Sequence, residues 1–267
     1  MGWGDELIAT GLARQAASRG KRAAFGDGRR IIWSDPARAL FRGNPHVAHP
    51  GEERAADLEW VAHYRGKRLY GECAGGVWLF RDFACPAGEV FLTREEKAFA
   101  LSKVWGPEHL VVIEPRVKPM GACDGANKSW GVERYEALAE ALMSERGVRC
   151  VQFVPPTVRP ALSQIEAIET PSFRHALAVL GLASLYIGPE GGLHHGAAAM
   201  GIPAVVIFGG FNTPRSTGYP WHENITVGEP CGRVAACDHC REAMASISVD
   251  RVLDAALRQL GRQREAA

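Results

Sequence analysis

The chain has 267 residues, of which 46% are hydrophobic and 23% charged, and its formal net charge is +1. This length suits two modest α/β domains or one large one, and it excludes a small disulfide-stapled module. The balanced charge gives no field that would draw the whole molecule to DNA or to an anionic membrane. No apolar run reaches the roughly 18 residues of a membrane helix, and residues 1–18 lack the pattern of a signal peptide. We therefore expect a cytoplasmic protein.

The first hundred residues carry a broken pattern, in which proline and glycine interrupt short apolar runs. The predicted elements are a helix over 5–18, strands over 30–33 and 77–83, and a linker helix over 95–104. Gly106-Pro107 then precedes a much more regular region. We predict a domain boundary there, with an N-terminal domain over 1–106 and a C-terminal domain over 107–267.

The C-terminal region alternates short apolar runs with amphipathic segments, the pattern of a parallel sheet flanked by helices. The predicted strands are 110–113, 150–154, 185–188 and 204–208, and the predicted helices are 132–146, 173–180, 194–200 and 248–260. Ser172 is a suitable N-cap for the second of these helices. The fold class is therefore α/β, with a Rossmann-like C-terminal domain.

A glycine-rich turn follows the predicted strand 185–188, at the edge where parallel sheets bind ligands. Gly191 and Gly192 would let the amides of the next helix approach a phosphate, and Glu190 would offer a carboxylate to hydroxyl groups. A histidine pair ending at His195 follows, and helical geometry lets one ring face the ligand while the other packs. The alternative is a tight turn whose glycines only permit close packing.

A second glycine-rich loop follows the strand 204–208 and should lie beside the first turn. This loop offers amides and hydroxyls that could bind a phosphate ligand. They belong to Gly209, Thr213, Thr217 and Gly218. The alternative is an ordinary loop. Lys128, just ahead of a predicted helix, is a candidate cation for phosphate, although a lone lysine is usually solvated.

Three of the seven cysteines have metal-like spacing, because Cys231 precedes a C-x-x-C formed by Cys237 and Cys240. With His239 or His222 they could hold zinc. Against this, His239 lies between two of the cysteines in sequence and would not easily share their ion. The sequence favours reduced thiols in a loop before the last helix, with no metal site and structural zinc only as an alternative.

Several motifs stand in one order along the chain. They are Gly4-Asp5, Lys128-x-Trp130 with Glu133 and Tyr135, Ser172-Phe173 to Ala183, Gly188-Pro189-Glu190-Gly191-Gly192 with His195 and Ala197-Ala198, Pro203, Phe208-Gly209, and Thr217-Gly218. In this order they resemble glycosyltransferase family 9, the ADP-heptose:lipopolysaccharide heptosyltransferases. The similarity is strongest over residues 111–254.

The resemblance implies a GT-B fold, in which two Rossmann-like domains face a cleft and the C-terminal domain holds a nucleotide-sugar donor. It implies metal-independent transfer that inverts the anomeric centre and needs no cofactor. Asp5 matches the family's general base, and Lys128 matches the lysine that meets the donor diphosphate. The alternative for Asp5 is an N-terminal helix cap.

Three departures from the family limit what the resemblance implies. Glu190 and Gly191 stand where the family usually has aspartate and serine or threonine, so the donor is open. The chain begins at the Gly-Asp turn without a preceding strand, and the N-terminal domain of residues 1–106 is short. Since that domain shapes the acceptor site, the acceptor can differ from lipid A core.

The leading hypothesis is transfer of a heptose or hexose from a nucleotide-diphosphate sugar to a saccharide or other hydroxyl acceptor, in surface polysaccharide or lipopolysaccharide synthesis. The alternatives are glycosylation of a hydroxymethylated DNA base, a nucleotide-sugar epimerase, and a non-catalytic nucleotide-sugar sensor. Peripheral membrane contact and a DNA acceptor stay open, and the sequence does not determine the oligomeric state.

Overall fold

The computed structural model describes residues 1–106, 109–118, 125–145 and 147–266, with side chains through residue 262. The strands are β1 (Arg22–Phe25), β2 (Leu58–Val61), β3 (Gly71–Ala74), β4 (Val77–Phe80), β5 (His109–Ile113), β6 (Val148–Val154), β7 (Glu166–Glu169), β8 (Leu185–Pro189), β9 (Ala204–Gly209) and β10 (Glu223–Thr226). The helices are α1 (Trp3–Ala17), α2 (Asp35–Leu40), α3 (Arg94–Lys103), α4 (Val132–Met143), α5 (Phe173–Leu180), α6 (Gly192–Ala199), α7 (Pro214–Thr217), α8 (Asp238–Ala245) and α9 (Val249–Ala266). A short 3-10 turn covers Ala126–Lys128.

A six-stranded parallel sheet in the order β10-β9-β8-β5-β6-β7 forms the centre of the C-terminal region. Its inner strands are buried on both faces, which is why they read as continuous apolar runs. The chain runs outward from β5 to β7 and returns on the other side through β8, where Val111 pairs with Leu185. Parallel sheets bind ligands beside such a reversal, at the carboxyl ends of the strands.

The N-terminal region is built from small pieces. Strands β1 and β2 form a two-stranded parallel sheet, and β3 and β4 form a hairpin whose turn, Gly75-Gly76, has positive φ at both residues. Helix α1 packs on α6, and the ring of Trp3 stacks on Phe173 at 4.6 Å. One apolar cluster joins the two regions, since it holds Leu7 of α1 together with residues of the large sheet.

The predicted elements of the C-terminal region are confirmed, and their ends differ by a few residues. Ser172 caps α5 by accepting a hydrogen bond from the amide of His175. The predicted helix 132–146 ends at Met143, and Arg146 lies outside the described residues. The predicted domain boundary also includes Pro107 and Glu108, which lie outside them, so that boundary stays a prediction.

The N-terminal predictions were less accurate. The helices at 5–18 and 95–104 are confirmed as α1 and α3. The predicted strand at 30–33 is wrong, because within these described residues Ile31 makes only a single bridge to Gly26. Strands β1 and β2 were missed, since they are four residues long and mainly pair with each other rather than with a larger sheet.

Candidate functional site

The glycine-rich turn joins β8 to α6 at the carboxyl edge of the large sheet. Strand β8 ends at Pro189, and α6 begins at Gly192. A Cβ at Gly191 would have no atom within 4 Å, so the space beside this backbone is open. The first amides of an α-helix have no partner within the helix and carry the positive end of its dipole. The turn therefore offers an accessible backbone suited to an anion.

Glu190 is the carboxylate of this turn, and two cations hold it. Lys128 Nζ donates a hydrogen bond to Glu190 Oε2, and His195 Nε2 lies 3.5 Å from Oε1. Although burial disfavours the charged carboxylate, Lys128 and His195 hold the pKa of Glu190 well below its ordinary range. Lys128 is thus a partly buried member of the site rather than a solvated lysine.

His195 is buried and bonded on both sides of its ring. Its Nδ1 lies 2.9 Å from the hydroxyl of Tyr219, which accepts a hydrogen bond from Cys85 Sγ at 3.5 Å. Burial opposes protonation, but interactions with Cys85 and Glu190 raise the pKa of His195 to about 9. At neutral pH the group therefore carries two positive charges, on Lys128 and His195, against one negative charge on Glu190.

His194 is the inner ring of the histidine pair and lies 4.6 Å from the His195 ring, so one ring of the pair packs as the helical geometry predicted. It is fully buried and packs against the rings of Phe208, Tyr219 and His222. Burial and the nearby His195 hold the pKa of His194 well below its ordinary value, so the ring is neutral. His194 therefore packs α6 against these three rings.

Asp5 lies in the first turn of α1 and is 8% exposed. Its carboxylate accepts hydrogen bonds from Arg68 Nε at 2.8 Å, from the Tyr70 hydroxyl at 2.5 Å and from the Gly2 amide at 2.7 Å. Burial favours the protonated form, but the Arg68 charge and these bonds lower the pKa of Asp5 overall. The capping bond to Gly2 means that the helix-cap interpretation also describes this residue correctly.

The structure brings Asp5 next to the glycine-rich turn from the opposite end of the sequence. A Cβ on Gly4 would lie 2.5 Å from Cδ2 of His195, and a Cβ on Gly192 would lie 3.2 Å from Cβ of Trp3. The N-termini of α1 and α6 therefore pack directly on each other. A glycine at position 4 permits this close approach.

The four residues predicted in the second loop mainly hold that loop together. Gly209 has φ of 60° and lies over Met244, and Thr213 caps α7. Thr217 is 2% exposed and accepts a hydrogen bond from Asn212 Nδ2 at 2.8 Å. Gly218 ends α7 against Pro214. As ligand contacts these four stay predictions.

Several residues that the sequence reasoning missed line the same region. Phe211, from the second loop, places its ring 5.6 Å from Lys128 Nζ. Arg68 lies over Trp78 of the β3–β4 hairpin at 5.1 Å. Arg68 follows Lys67 in sequence, and such short basic pairs usually lie on the solvated surface, so only its contact with Asp5 distinguishes it. No local pattern marks these residues, because they meet through the tertiary fold.

Two further carboxyls lie near this edge, Glu6, which is buried, and Glu114, which is partly buried. Glu6 follows Asp5 and accepts a hydrogen bond from the Ser34 hydroxyl at 2.6 Å, and Glu114 follows β5. Burial raises the pKa of each to about 7. Both carboxyls therefore change charge near neutral pH, unlike Asp5 and Glu190.

Two groups of side chains within the described part of the chain have metal-ligand geometry. One is Glu190 with His194 and His195, and the other is Cys231 with His239 and Cys240. In the first, Lys128 and His195 already neutralise the carboxylate. The second lies at the start of α8, in a segment where the sequence predicts a loop.

Comparisons with known proteins agree with the geometry. The sequence profile described as "Glycosyltransferase family 9 (heptosyltransferase)" matches residues 85–245, more than half of the chain. No curated protein matches the sequence. Among the residues that the structure describes, no helix is both long and apolar enough to cross a membrane.

Two solved structures with TM-scores above 0.5 show the same fold. A glycosyl transferase family 9 from Veillonella parvula DSM 2008 has a TM-score of 0.64 at 14% identity, over 98% of this chain and 95% of its own. TibC of enterotoxigenic E. coli H10407, an iron-containing dodecameric glycosyltransferase, has a TM-score of 0.58 at 16% identity, over 98% and 74%. E. coli ADP-heptose lps heptosyltransferase II has a TM-score of 0.49 at 17% identity, over 66% and 54%, so this chain spans about half of it.

The predicted fold class is confirmed as an α/β GT-B fold with a reduced N-terminal region. The family resemblance drawn from the motifs is confirmed as well, because the family profile covers the glycine-rich turn, Lys128 and the second loop. The chain belongs to glycosyltransferase family 9.

Proposed function

We propose that this chain transfers a sugar from a nucleotide-diphosphate sugar to an acceptor hydroxyl, with inversion and without a metal ion at the reacting centre. The observation that carries the proposal is the net positive group of Lys128, His195 and Glu190 at the N-terminus of α6, packed against the first turn of α1, which carries Asp5. A diphosphate needs such a cationic, amide-rich surface, and a transfer reaction needs a base next to it.

The donor diphosphate binds at the open backbone of Gly191 and the first amides of α6. Lys128 and protonated His195 offset the negative charge that grows on the leaving group, the task that a divalent cation performs in other transferases. The neighbouring carboxylate, Glu190, is already paired with these two cations. Glu190 then orients Lys128 and accepts hydrogen bonds from hydroxyls of the sugar or ribose.

In the transfer step, the Asp5 carboxylate accepts the proton of the acceptor hydroxyl while the hydroxyl oxygen forms a bond to the anomeric carbon. The bond from that carbon to the phosphate oxygen breaks, and its electron pair leaves with the nucleoside diphosphate. Attack from the face opposite the phosphate inverts the centre. Because Arg68 and Tyr70 bond to Asp5, the acceptor hydroxyl must displace at least one of them.

The sugar is a heptose or a hexose, and the acceptor is a saccharide in surface polysaccharide or lipopolysaccharide synthesis. Family membership supports this assignment. The departure at Glu190 keeps the donor nucleotide open. A donor panel is therefore the first experiment.

Thermal unfolding of the purified chain with a panel of ADP-, GDP-, UDP- and dTDP-sugars tests the donor site. We expect one nucleotide class to raise the melting temperature, and slow hydrolysis of that donor to release nucleoside diphosphate. Lys128→Met should abolish both effects, whereas Lys97→Met, which alters an exposed lysine of α3, should preserve them. No stabilisation by any donor would contradict the proposal.

One observation favours a second candidate, a nucleotide-sugar sensor without transferase activity. Asp5 is held by Arg68 and Tyr70, and its lowered pKa makes it a weak base. Asp5→Asn separates the two. A transferase loses about 10²- to 10⁴-fold in kcat while donor affinity stays, whereas a sensor has no acceptor-dependent turnover before or after the change. Asp35→Asn, on the exposed start of α2, is the matched control.

A further inference from the structure

A group of three cysteines and one histidine lies at the start of α8, outside the proposed transfer site. Cys231 Sγ lies 3.8 Å from Cys237 Sγ and 3.2 Å from Cys240 Sγ. His239 Nδ1 lies 3.9 Å from Cys240 Sγ, and the ligand atoms of Cys231, His239 and Cys240 are all within 4.8 Å of one another. The group borders an open depression that Cys237 and His239 help to line.

The Cys231–Cys237 separation of 3.8 Å matches a tetrahedral metal centre, and the Cys231–Cys240 separation of 3.2 Å is somewhat shorter. With metal–sulfur bonds of about 2.3 Å, the thiolates of such a centre lie about 3.8 Å apart. We propose that Cys231, Cys237, Cys240 and His239 form a structural site for a thiophilic divalent metal ion, with zinc as the expected occupant. Three thiolates and one imidazole are a common zinc-ligand set, and soft thiolates exclude magnesium and calcium.

Local structure accounts for how the four ligands meet. Cys237 is the residue just before α8, and Cys240 is three residues later, so both lie on one side of its first turn. Cys231 comes from the preceding loop, where its amide donates a hydrogen bond to the Gly210 carbonyl at 3.0 Å. The positive end of the α8 dipole favours the thiolate forms that a metal requires.

In the folded chain, the His239 ring lies on the same side as the thiols of Cys231 and Cys240. Although His239 lies between Cys237 and Cys240, its longer side chain brings Nδ1 towards the Cys240 thiol. The ring lies close over Gly210, where a Cβ would be 2.8 Å from Cε1. A glycine at position 210 therefore leaves the space that this ring occupies.

The metal would fix the loop formed by residues 231–237, which contacts the segment that carries Lys128. The Cys237 amide donates to Asn127 Oδ1 at 3.0 Å, and Asn127 Nδ2 donates to the Arg233 and Ala235 carbonyls at 2.6 and 2.7 Å. Asn127 directly precedes Lys128, the cation paired with Glu190. The metal thus stabilises the position of Lys128 through Asn127 and takes no part in the chemical step.

The same loop also holds the second glycine-rich loop and the hairpin. The Gly232 amide donates to the Phe211 carbonyl at 3.1 Å, and the Gly232 carbonyl accepts from the Trp78 amide at 2.8 Å. A metal at Cys231 therefore fixes three segments of the site through one short loop. A structural role of this kind accounts for a cluster of four metal ligands outside the proposed substrate site.

Elemental analysis of the chain, purified under reducing and anaerobic conditions from medium supplemented with zinc and iron, tests the site. We expect one metal ion per chain, and X-ray absorption should show sulfur neighbours at about 2.3 Å. Zinc and iron are distinguished by the same measurement, and either supports the site. Cys240→Ser and His239→Ala should lower the metal content at least about tenfold.

Cys73→Ser is the matched control, because Cys73 is an exposed thiol on the hairpin, and it should keep the metal. A chelator should lower the melting temperature of the wild type and of this control but leave Cys240→Ser unchanged. These readouts do not need donor or acceptor, so they stand whatever becomes of the proposed transfer. A metal content that is substoichiometric after reconstitution, or equal in Cys240→Ser, overturns the site. A stable disulfide between Cys231 and Cys240 after reducing purification also overturns it.

Discussion

The two regions of the molecule use different means to build one site. The C-terminal region is regular, and its sheet presents a helix N-terminus and two cations at the reversal between β5 and β8. The N-terminal region has only short sheets, and it contributes side chains, chiefly Asp5 and Arg68, that are held by specific polar contacts. Backbone geometry thus defines the proposed anion site, whereas side-chain pairing defines the proposed base.

The joint between the regions is the strongest test of this contrast. Arg174 of α5 donates to both oxygens of Glu96 in α3 at 2.6 and 2.8 Å, and to the Phe91 carbonyl. Both side chains are buried. Arg174→Met leaves the Glu96 carboxylate without its cation and should lower the free energy of unfolding by about 3–5 kcal/mol, measured by urea denaturation.

Arg38→Met is the control, since it removes an exposed arginine from α2 and should change stability by less than about 0.5 kcal/mol. If the free energy of unfolding of Arg174→Met changes as little as that of this control, the ion pair does not stabilise the joint. The apolar cluster shared by the two regions then provides its stability.

His195 tests the electrostatics of the regular region. Its pKa is raised from 6.5 to about 9 in the folded chain, so its stabilisation is complete below pH 6.5 and is lost as pH rises through about 9. The raised pKa corresponds to about 3 kcal/mol. Urea denaturation across this interval should show the loss in the wild type, whereas His195→Gln should lack it.

Glu6 and Glu114 give a second pH interval in which the free energy of unfolding falls as pH rises. Their folded pKa values are raised to about 7, so the stability they confer is present below pH 4.5 and is lost as pH rises through 7. His195→Gln should keep this lower transition. A variant that lost both transitions would show that His195 does not titrate independently.

The second loop tests whether its threonines bind ligand or only hold the fold. Thr217→Val leaves the amide of Asn212 without its acceptor and should cost about 1–2 kcal/mol of unfolding free energy. Since Thr217 is buried, donor affinity measured by calorimetry should be unchanged at a temperature where the variant is folded. If the folded variant binds the donor more weakly than the wild type, Thr217 belongs to the donor site as predicted.

The smallest expected change in stability concerns the glycine-rich turn. Gly191→Ala places a methyl group in open space on an extended backbone and should alter stability by less than about 0.5 kcal/mol. Gly192→Ala is the matched comparison, because its Cβ would lie 3.2 Å from Trp3. If a diphosphate approaches the backbone at Gly191, the first variant still weakens donor binding. Unchanged affinity would place the diphosphate elsewhere.

The fold of the C-terminal region was predictable because buried parallel strands and amphipathic helices have distinct periods. The pattern located β5, β6, β8 and β9 to within a few residues. Strands β7 and β10 were missed, since they lie at the sheet edges and are short. In the N-terminal region, β1 and β2 are four-residue strands without alternation, so no period could identify them.

The site was predictable only where the chain itself brings residues together. Glu190, Gly191 and Gly192 are adjacent in sequence, and Lys128 was a candidate because it precedes a predicted helix and matches a family motif. The roles of Arg68 and Tyr70 could not be found, because a lysine-arginine pair and a tyrosine carry no signal until the fold places them against Asp5. The approach of His239 Nδ1 to within 3.9 Å of the Cys240 thiol could not be predicted from their adjacency in sequence either.

The packing of α1 on α6 has a consequence for engineering. Gly4 leaves room for His195, and Trp3 lies against Gly192 and Phe173, so the N-terminal region and the glycine-rich turn fit each other as one surface. A chimaera that exchanges the N-terminal region would have to preserve these contacts. The two regions of this chain are therefore not interchangeable modules, because a change on one side of this joint needs a matching change on the other.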